Sequence, residues 1–70
     1  MTLKEADAAA RLMLPVVHGG VVYEKIVGIG YHYDRNGKAD PYVLVKDKRA
    51  DSYCYVEPER CNVYTPEVSQ

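Results

Sequence analysis

The hydrophobic positions of this chain change from helical to strand-like spacing at Pro15. Before that proline, apolar residues recur every three or four positions, as on one face of an amphipathic helix. They are Leu3, Ala6, Ala10, Met13 and Leu14. Thr2 and Glu5 have the spacing of a capping box, which stabilises a helix N-terminus. Because Pro15 disfavours helical geometry at the residue before it, the pattern predicts a helix over about residues 3–13.

After Pro15, short apolar runs separated by turn residues predict a series of β-strands. His18-Gly19-Gly20 lies between two valine-rich runs and predicts a tight hairpin, since glycine accepts a positive φ. The run from Val21 to Tyr33 is long for one straight strand. It contains Gly28 and Gly30, so we expect a bulge or a strong bend within it.

The second half of the chain continues the β pattern. Asp34-Arg35-Asn36-Gly37 predicts a turn, because Asn-Gly is the favoured pair of tight hairpins. Further strands are expected at residues 42–46, 52–57 and 61–64, with one helical turn at Pro58-Glu59-Arg60. Residues 65–70 have the pattern of a loose C-terminal tail.

This order of elements resembles an SH3-like small barrel over about residues 15–64. The resemblance implies a mainly β fold, a five-stranded barrel preceded by one α-helix, in a single domain of residues 1–70. We expect the apolar stripe of the helix to pack across one open end of the barrel. The alternative is that this stripe pairs with a second copy of the chain. A true SH3 peptide site uses a tryptophan, which this chain lacks, so recognition of proline-rich peptides is not expected.

Three segments are also similar to small uncharacterised proteins of prophages and other mobile elements in gut Firmicutes. They are Leu14-Pro15-Val16, Gly20-Val21-Val22-Tyr23 and Tyr33-Asp34-Arg35-Asn36-Gly37-Lys38. What this resemblance implies is an SH3-like fold, with no particular activity attached to it.

Composition narrows the classes of function. The formal net charge is −1, and the chain has no basic stripe of the kind that binds phosphate backbones. No apolar run approaches the roughly 20 residues that span a bilayer, and the N-terminus lacks the pattern of a secretory signal. We therefore expect a cytoplasmic protein without membrane contact. In that setting Cys54 and Cys61 are expected to be reduced thiols, with a disulfide as the less favoured alternative.

Tyrosine is the only large aromatic residue, with seven tyrosines and neither Phe nor Trp. Tyrosine combines an apolar ring with a hydroxyl and is enriched at protein interfaces. Five tyrosines fall in predicted strands and are the candidate partner-binding residues; they are Tyr31, Tyr33, Tyr42, Tyr53 and Tyr55. The ordinary alternative is that tyrosine is simply a good strand former in a half-buried sheet.

A basic cluster of Lys46, Lys48 and Arg49 is the candidate for phosphate contact, although Asp47 and Asp51 lie among these cations. If the tyrosines stack on bases while this cluster meets phosphates, the chain is a nucleic-acid-binding barrel. A solvated turn is the simpler interpretation of the cluster.

Other chemistry has little support in the sequence. The soft ligands His18, His32, Cys54 and Cys61 lack the paired spacing of zinc sites, so we expect no metal and no cofactor. No local arrangement of residues holds a base close to either cysteine, and a domain this small has little room for a pocket, so we expect no enzyme and no small-molecule substrate. The sequence predicts a non-catalytic module that binds a protein partner, or itself, through tyrosines; nucleic-acid binding is the alternative.

Overall fold

The computed structural model describes residues 1–49 and 51–65, and these form a mainly β structure with one leading helix. Helix α1 spans Leu3–Arg11, and a single 3₁₀ turn spans Pro58–Arg60. The strands are β1 Val16–His18, β2 Val21–Tyr23, β3 Lys25–Tyr33, β4 Ala39–Lys46, β5 Tyr53–Val56 and β6 Cys61–Val63. The predicted helix and helical turn are confirmed, while residues 66–70 of the predicted tail lie outside the described residues.

Both ends of α1 are closed by local hydrogen bonds. The Thr2 hydroxyl accepts the Glu5 N–H at 3.1 Å, and the Glu5 carboxylate accepts the Thr2 N–H at 2.7 Å, which confirms the capping box. The helix ends at Arg11, two residues earlier than predicted. Met13 takes a left-handed conformation with φ of 55°, and its N–H donates to the Ala10 carbonyl at 3.0 Å. This left-handed residue ends the helix before Pro15 is reached.

The strands form two antiparallel sheets of three, in the orders β2-β1-β6 and β3-β4-β5. The predicted long strand from Val21 to Tyr33 is interrupted at Glu24, so its two parts belong to different sheets. The Glu24 N–H still donates to the Lys46 carbonyl oxygen at 2.8 Å. Among residues 1–49 and 51–65 the ladders give six strands in two open sheets and no closed barrel, where the sequence predicted five strands in one barrel.

Two predicted turns are confirmed. The Gly19-Gly20 pair has φ values of 58° and 79° and joins β1 to β2 as a tight hairpin. Between β3 and β4, the Asp34 carboxylate accepts the backbone N–H groups of Asn36 and Lys38 at 2.8 and 2.9 Å. Gly37 supplies the left-handed residue of this turn, with φ of 79°. The two turns fix the register of both hairpins.

The core lies between α1 and the two sheets. Its largest fully buried side chains come from both sheets and are Val16, Val43, Val45 and Cys61. Ala6 and Ala9 bring the helix close to this core because they are small. Met13 was predicted to belong to the apolar stripe of the helix, but it is 67% exposed. The stripe ends earlier because Met13 lies beyond the last helical residue.

Candidate interaction surface

The pairing register of β3, β4 and β5 separates the side chains of the second sheet into two faces. Residues directly opposite each other on neighbouring strands share a face. Val43 pairs with Val56, and both are buried on the inner face toward α1 and the first sheet. The opposite face, called here the outer face, carries five aromatic or apolar side chains: His32, Tyr42, Leu44, Tyr53 and Tyr55.

Three rings of the outer face contact one another and form what we call the aromatic cluster: His32, Tyr42 and Tyr55. The rings of His32 and Tyr42 are stacked, with centroids 4.4 Å apart and an interplanar angle of 24°. Tyr55 meets both rings edge-on, with centroids 4.9 Å from Tyr42 and 5.2 Å from His32. Stacked and edge-to-face geometries are those that aromatic pairs favour. One ring comes from each strand of the sheet, so the cluster joins all three strands.

Gly30 provides the space in which the Tyr42 ring lies. The two residues are directly opposite on β3 and β4. A Cβ atom at position 30 would lie 2.8 Å from the Tyr42 Oη and 3.0 Å from its Cζ. The ring therefore lies across the bare backbone of the glycine, an arrangement known for aromatic residues beside strand glycines. The absence of a side chain at Gly30 is thus what permits the stack with His32.

Tyr53 and Tyr55 present the accessible part of the outer face. Their side chains are 55% and 59% exposed, and both lie on β5, the last strand of the second sheet. Tyr53 pairs with Lys46, and Tyr55 pairs with Leu44. The sequence prediction that these two tyrosines share a face opposite Cys54 and Val56 is confirmed by the register.

Tyr31 and Tyr33 lie on the other face of the sheet. They pair with Pro41 and Ala39 of β4, which share the face of the buried Val43. Both tyrosines are nonetheless exposed, at 51% and 68%. The structure thus brings Tyr42, Tyr53 and Tyr55 onto one surface and places the Tyr31 and Tyr33 pair on the opposite one.

The three candidate phosphate-contacting cations differ in their surroundings. The Lys46 Nζ lies 3.0 Å from a Glu24 carboxylate oxygen and 3.7 Å from one of Asp51. The hydrogen bond to Glu24 raises the pKa of Lys46. Lys48 and Arg49 are exposed in the turn that leads toward β5. Of the predicted cluster, therefore, Lys46 already has carboxylate partners, whereas the other two cations face solvent.

The candidate metal-ligating residues are dispersed. Cys54 is exposed and Cys61 is buried, and both are free thiols. His18 lies 3.1 Å from the Glu57 carboxylate. The pKa of Glu57 is lowered by a hydrogen bond from its own backbone N–H and then by the bond to His18. Within residues 1–49 and 51–65 no three His, Cys, Asp or Glu side chains gather in a way that could hold a metal ion.

Sequence reasoning considered His32 only as a possible ligand and missed its place in the aromatic cluster. The signal was present in the turn at Asp34-Arg35-Asn36-Gly37, because a hairpin closed there pairs Tyr33 with Ala39. Counting back along both strands puts Gly30 opposite Tyr42 and His32 on the same face. The strand alternation then separates His32 from its two neighbouring tyrosines.

Comparison of the chain with protein-family models, with curated proteins and with solved structures finds no significant match. The helix in the described part of the chain is too short and too polar to cross a membrane.

Proposed function

We propose that this chain is a non-catalytic interaction module that binds a protein partner through the outer face of the β3-β4-β5 sheet. The proposal rests on one observation, which is that a tyrosine side chain on β5 is both exposed to solvent and held in place by neighbouring rings. Tyr55 is more than half exposed, yet its ring is held by Tyr42 and His32. Tyr53 lies beside it on the same face.

Rings that are ordered before binding lose less conformational entropy when a partner arrives. Tyrosine also gives a large contact area with only two rotatable side-chain bonds, and its hydroxyl tolerates both water and a polar partner. Interfaces are enriched in tyrosine for these reasons. A surface with the aromatic cluster at its centre and Tyr53 at its side supports protein recognition better than it supports chemistry on a small molecule.

We further infer that the fold is a small SH3-like barrel that has remained open, in a cytoplasmic protein of the kind that mobile elements carry. The pairing of β1 with both β2 and β6 supports the fold in this inference, as does the passage of the chain through Glu24 from one sheet to the other. The 3₁₀ turn at Pro58–Arg60, directly before the last strand, has the position expected in such barrels. SH3-like folds host many functions, so the proposal about binding rests on the outer face.

Nucleic-acid binding is the alternative, and one observation favours it. Lys48 and Arg49 are exposed in the turn before β5, close in sequence to Tyr53. Bases could stack on the exposed rings while the two cations meet phosphates. Against this, the Lys46 ammonium is engaged by Glu24 and Asp51, so the local positive charge is small.

Two matched double variants test the protein-binding proposal. Tyr53→Ala with Tyr55→Ala removes two rings of the outer face, while Tyr31→Ala with Tyr33→Ala removes two similarly exposed rings of the opposite face. Affinity capture from the native cell is expected to retain a protein with the wild type and with the second variant, but not with the first. Retention by all three, or loss with both variants, would contradict the assignment of the outer face.

Salt dependence separates the two candidate functions. The labelled chain is titrated with a short single-stranded oligothymidylate and followed by two-dimensional amide NMR, at low and at physiological salt. Shifts around Tyr53, Tyr55 and Lys48 that salt abolishes would favour nucleic acid, because phosphate contacts release counterions. A spectrum unchanged at both salt concentrations favours a protein partner, whose tyrosine contacts are expected to be nearly insensitive to salt.

A further inference from the structure

Strand β5 forms one edge of the second sheet, because in the described part of the chain it pairs only with β4. Lys46 lies opposite Tyr53, and its carbonyl oxygen accepts the Glu24 N–H at 2.8 Å on the β3 side of β4. In an antiparallel ladder both backbone groups of a residue point the same way, and the direction alternates along the strand. The pair of Lys46 and Tyr53 is therefore not hydrogen-bonded. Tyr53, and Tyr55 after it, direct their N–H and C=O groups toward the free edge.

Two other hydrogen bonds agree with this direction. The Ser52 carbonyl oxygen accepts the Asp47 N–H at 2.9 Å, so Ser52 bonds toward the β4 side and the next residue, Tyr53, points outward. The Cys54 Sγ donates to the Tyr55 carbonyl oxygen at 3.7 Å, and a thiol is a weak donor. The Tyr55 carbonyl is thus available to a stronger N–H donor.

The edge at β5 lacks features that usually keep edge strands from pairing with other chains. Charged side chains and prolines are such features, and Tyr53–Val56 contains neither. The first three side chains of this strand are all exposed. Where β4 extends past β5, by contrast, Pro41 lies an odd number of residues from Lys46, so its missing N–H would have pointed at this same edge. Strand addition is therefore open along β5 and obstructed beyond it.

Building on the function proposed for the outer face, we propose that its partner supplies an extended segment, which joins the second sheet as an antiparallel strand beside β5. An extended backbone places its donors and acceptors at every second residue, as Tyr53 and Tyr55 require. Side chains paired with these two tyrosines share their face, so they lie against the exposed rings. Backbone hydrogen bonds then give affinity, and contacts with the rings give specificity.

Acidic residues near both ends of β5 determine the charge of this segment. Asp51 and Glu57 are exposed, although Lys46 lies 3.7 Å from the first and His18 lies 3.1 Å from the second. If a second copy supplied the strand, pairing the two β5 tyrosines across the axis would place Asp51 of each copy opposite Glu57 of the other. Like charges directly opposite destabilise a ladder. The segment therefore belongs to a different protein and has a cationic side chain near each end.

A synthetic heptapeptide of the sequence Lys-Thr-Val-Thr-Val-Thr-Lys, acetylated and amidated, tests the added strand. In the antiparallel register its valines lie opposite Tyr53 and Tyr55, and its lysines lie opposite the two acidic residues. Amide NMR of the labelled chain at millimolar peptide is expected to show shifts along Tyr53–Val56. Hydrogen exchange at Tyr53 and Tyr55 is expected to slow by about threefold or more, because both N–H groups become bonded.

The control peptide has the same sequence with N-methyl groups on two adjacent central residues. These groups block both of its edges, because neighbouring N–H groups of a strand point to opposite sides. Since its charges and side chains are unchanged, this peptide controls for contacts that do not involve the backbone, and it is expected to cause neither the shifts nor the slower exchange. Absence of shifts with the first peptide, or equal shifts with both peptides, would overturn the proposal.

The variants Tyr53→Ala and Tyr53→Pro separate strand addition from contact with the rings alone. Both lose the ring, but only proline also removes the N–H that points to the free edge, and the first residue of an edge strand tolerates proline. The heptapeptide is expected to bind Tyr53→Pro about fivefold more weakly than Tyr53→Ala, from the loss of one hydrogen bond. Circular dichroism checks that both variants are folded, and the comparison of the two peptides on the wild type does not depend on them.

The failure of strand addition is distinguishable from that of the proposed function. Equal affinity of the heptapeptide for Tyr53→Ala and Tyr53→Pro would overturn strand addition and leave recognition by the rings in place. The proposed function fails separately, in the capture experiment with the two tyrosine double variants.

Discussion

Adding one methyl group at Gly30 is expected to disturb the aromatic cluster without removing any of its rings. A Cβ atom there would meet the Tyr42 ring at 2.8 Å from Oη, 3.0 Å from Cζ and 3.1 Å from Cε2. Because the hydroxyl oxygen and two ring atoms are crowded together, the ring must move away from the strand. Its contacts with His32 and Tyr55, at centroid distances of 4.4 and 4.9 Å, then weaken.

Gly28 gives the matched comparison for this substitution. It lies on the same strand and the same face, and a Cβ there would meet Leu44 at 3.4 Å, an ordinary van der Waals contact. Neither glycine has a positive φ, so alanine fits both backbones. Gly28→Ala should therefore stabilise the protein by about 0.5–1 kcal/mol, through the lower entropy of the unfolded chain. Gly30→Ala has the same gain but loses part of two aromatic contacts, each worth about 0.5–1.5 kcal/mol.

The free energies of unfolding of the two variants are thus expected to differ by about 1–2 kcal/mol, with Gly30→Ala the less stable. Urea titration followed by far-ultraviolet circular dichroism measures this difference, and a shared m-value shows that the extent of unfolding is unchanged. Equal stability of Gly28→Ala and Gly30→Ala would refute the reasoning, because the Tyr42 ring would then have moved without cost.

Two further predictions concern the end of the helix and the cysteines. Met13→Gly should raise the free energy of unfolding by about 0.5–1 kcal/mol, because glycine adopts the observed φ of 55° without the cost that methionine bears. Leu12→Gly, at a φ of −89° and with similar exposure, should instead lower the free energy of unfolding. A gain in stability in both variants would contradict the argument. Burial raises the pKa of the Cys61 thiol, so an aromatic disulfide reagent should label Cys54 quickly and Cys61 only on unfolding. Since the unfolded chain releases the Cys61 proton at a lower pH than the folded chain, this residue's contribution to stability should fall as pH rises above about 8.5, and Cys61→Ala should remove that part of the slope.

Local chemistry made several elements predictable from sequence. The Thr2 and Glu5 capping box, the Gly19-Gly20 hairpin and the turn before Lys38 each depend on a few adjacent residues, and all are present in the structure. The outward direction of Tyr53 and Tyr55 followed from strand alternation and from placing Cys54 and Val56 in the core; Val56 is buried as expected, whereas Cys54 is exposed. These features need no knowledge of the rest of the chain.

Features that depend on distant partners were not predictable in the same way. The division of the Val21 to Tyr33 run at Glu24 depends on which strands its two halves pair with. The register of β3 against β4 shifts between Ile26 and Gly28, and a shift of one residue exchanges the two faces of a strand. The grouping of Tyr31 and Tyr33 with the β5 tyrosines was therefore open from the sequence, and the contact of Tyr42 with His32 was not foreseen.

The paired strands β3 and β4 extend beyond the end of the neighbouring strand β5. Within the part of the chain that the structure describes, the ladder beyond the pair of Val43 and Val56, where β5 stops, consists of β3 and β4 alone as far as Tyr33 and Ala39. A two-stranded ribbon is marginally stable in water, so amide hydrogens near Tyr33 should exchange with solvent through local fraying, far faster than those at Val45. The His32 and Tyr42 stack lies where this ribbon leaves the sheet, so we expect slow exchange to give way to fast exchange at these two residues.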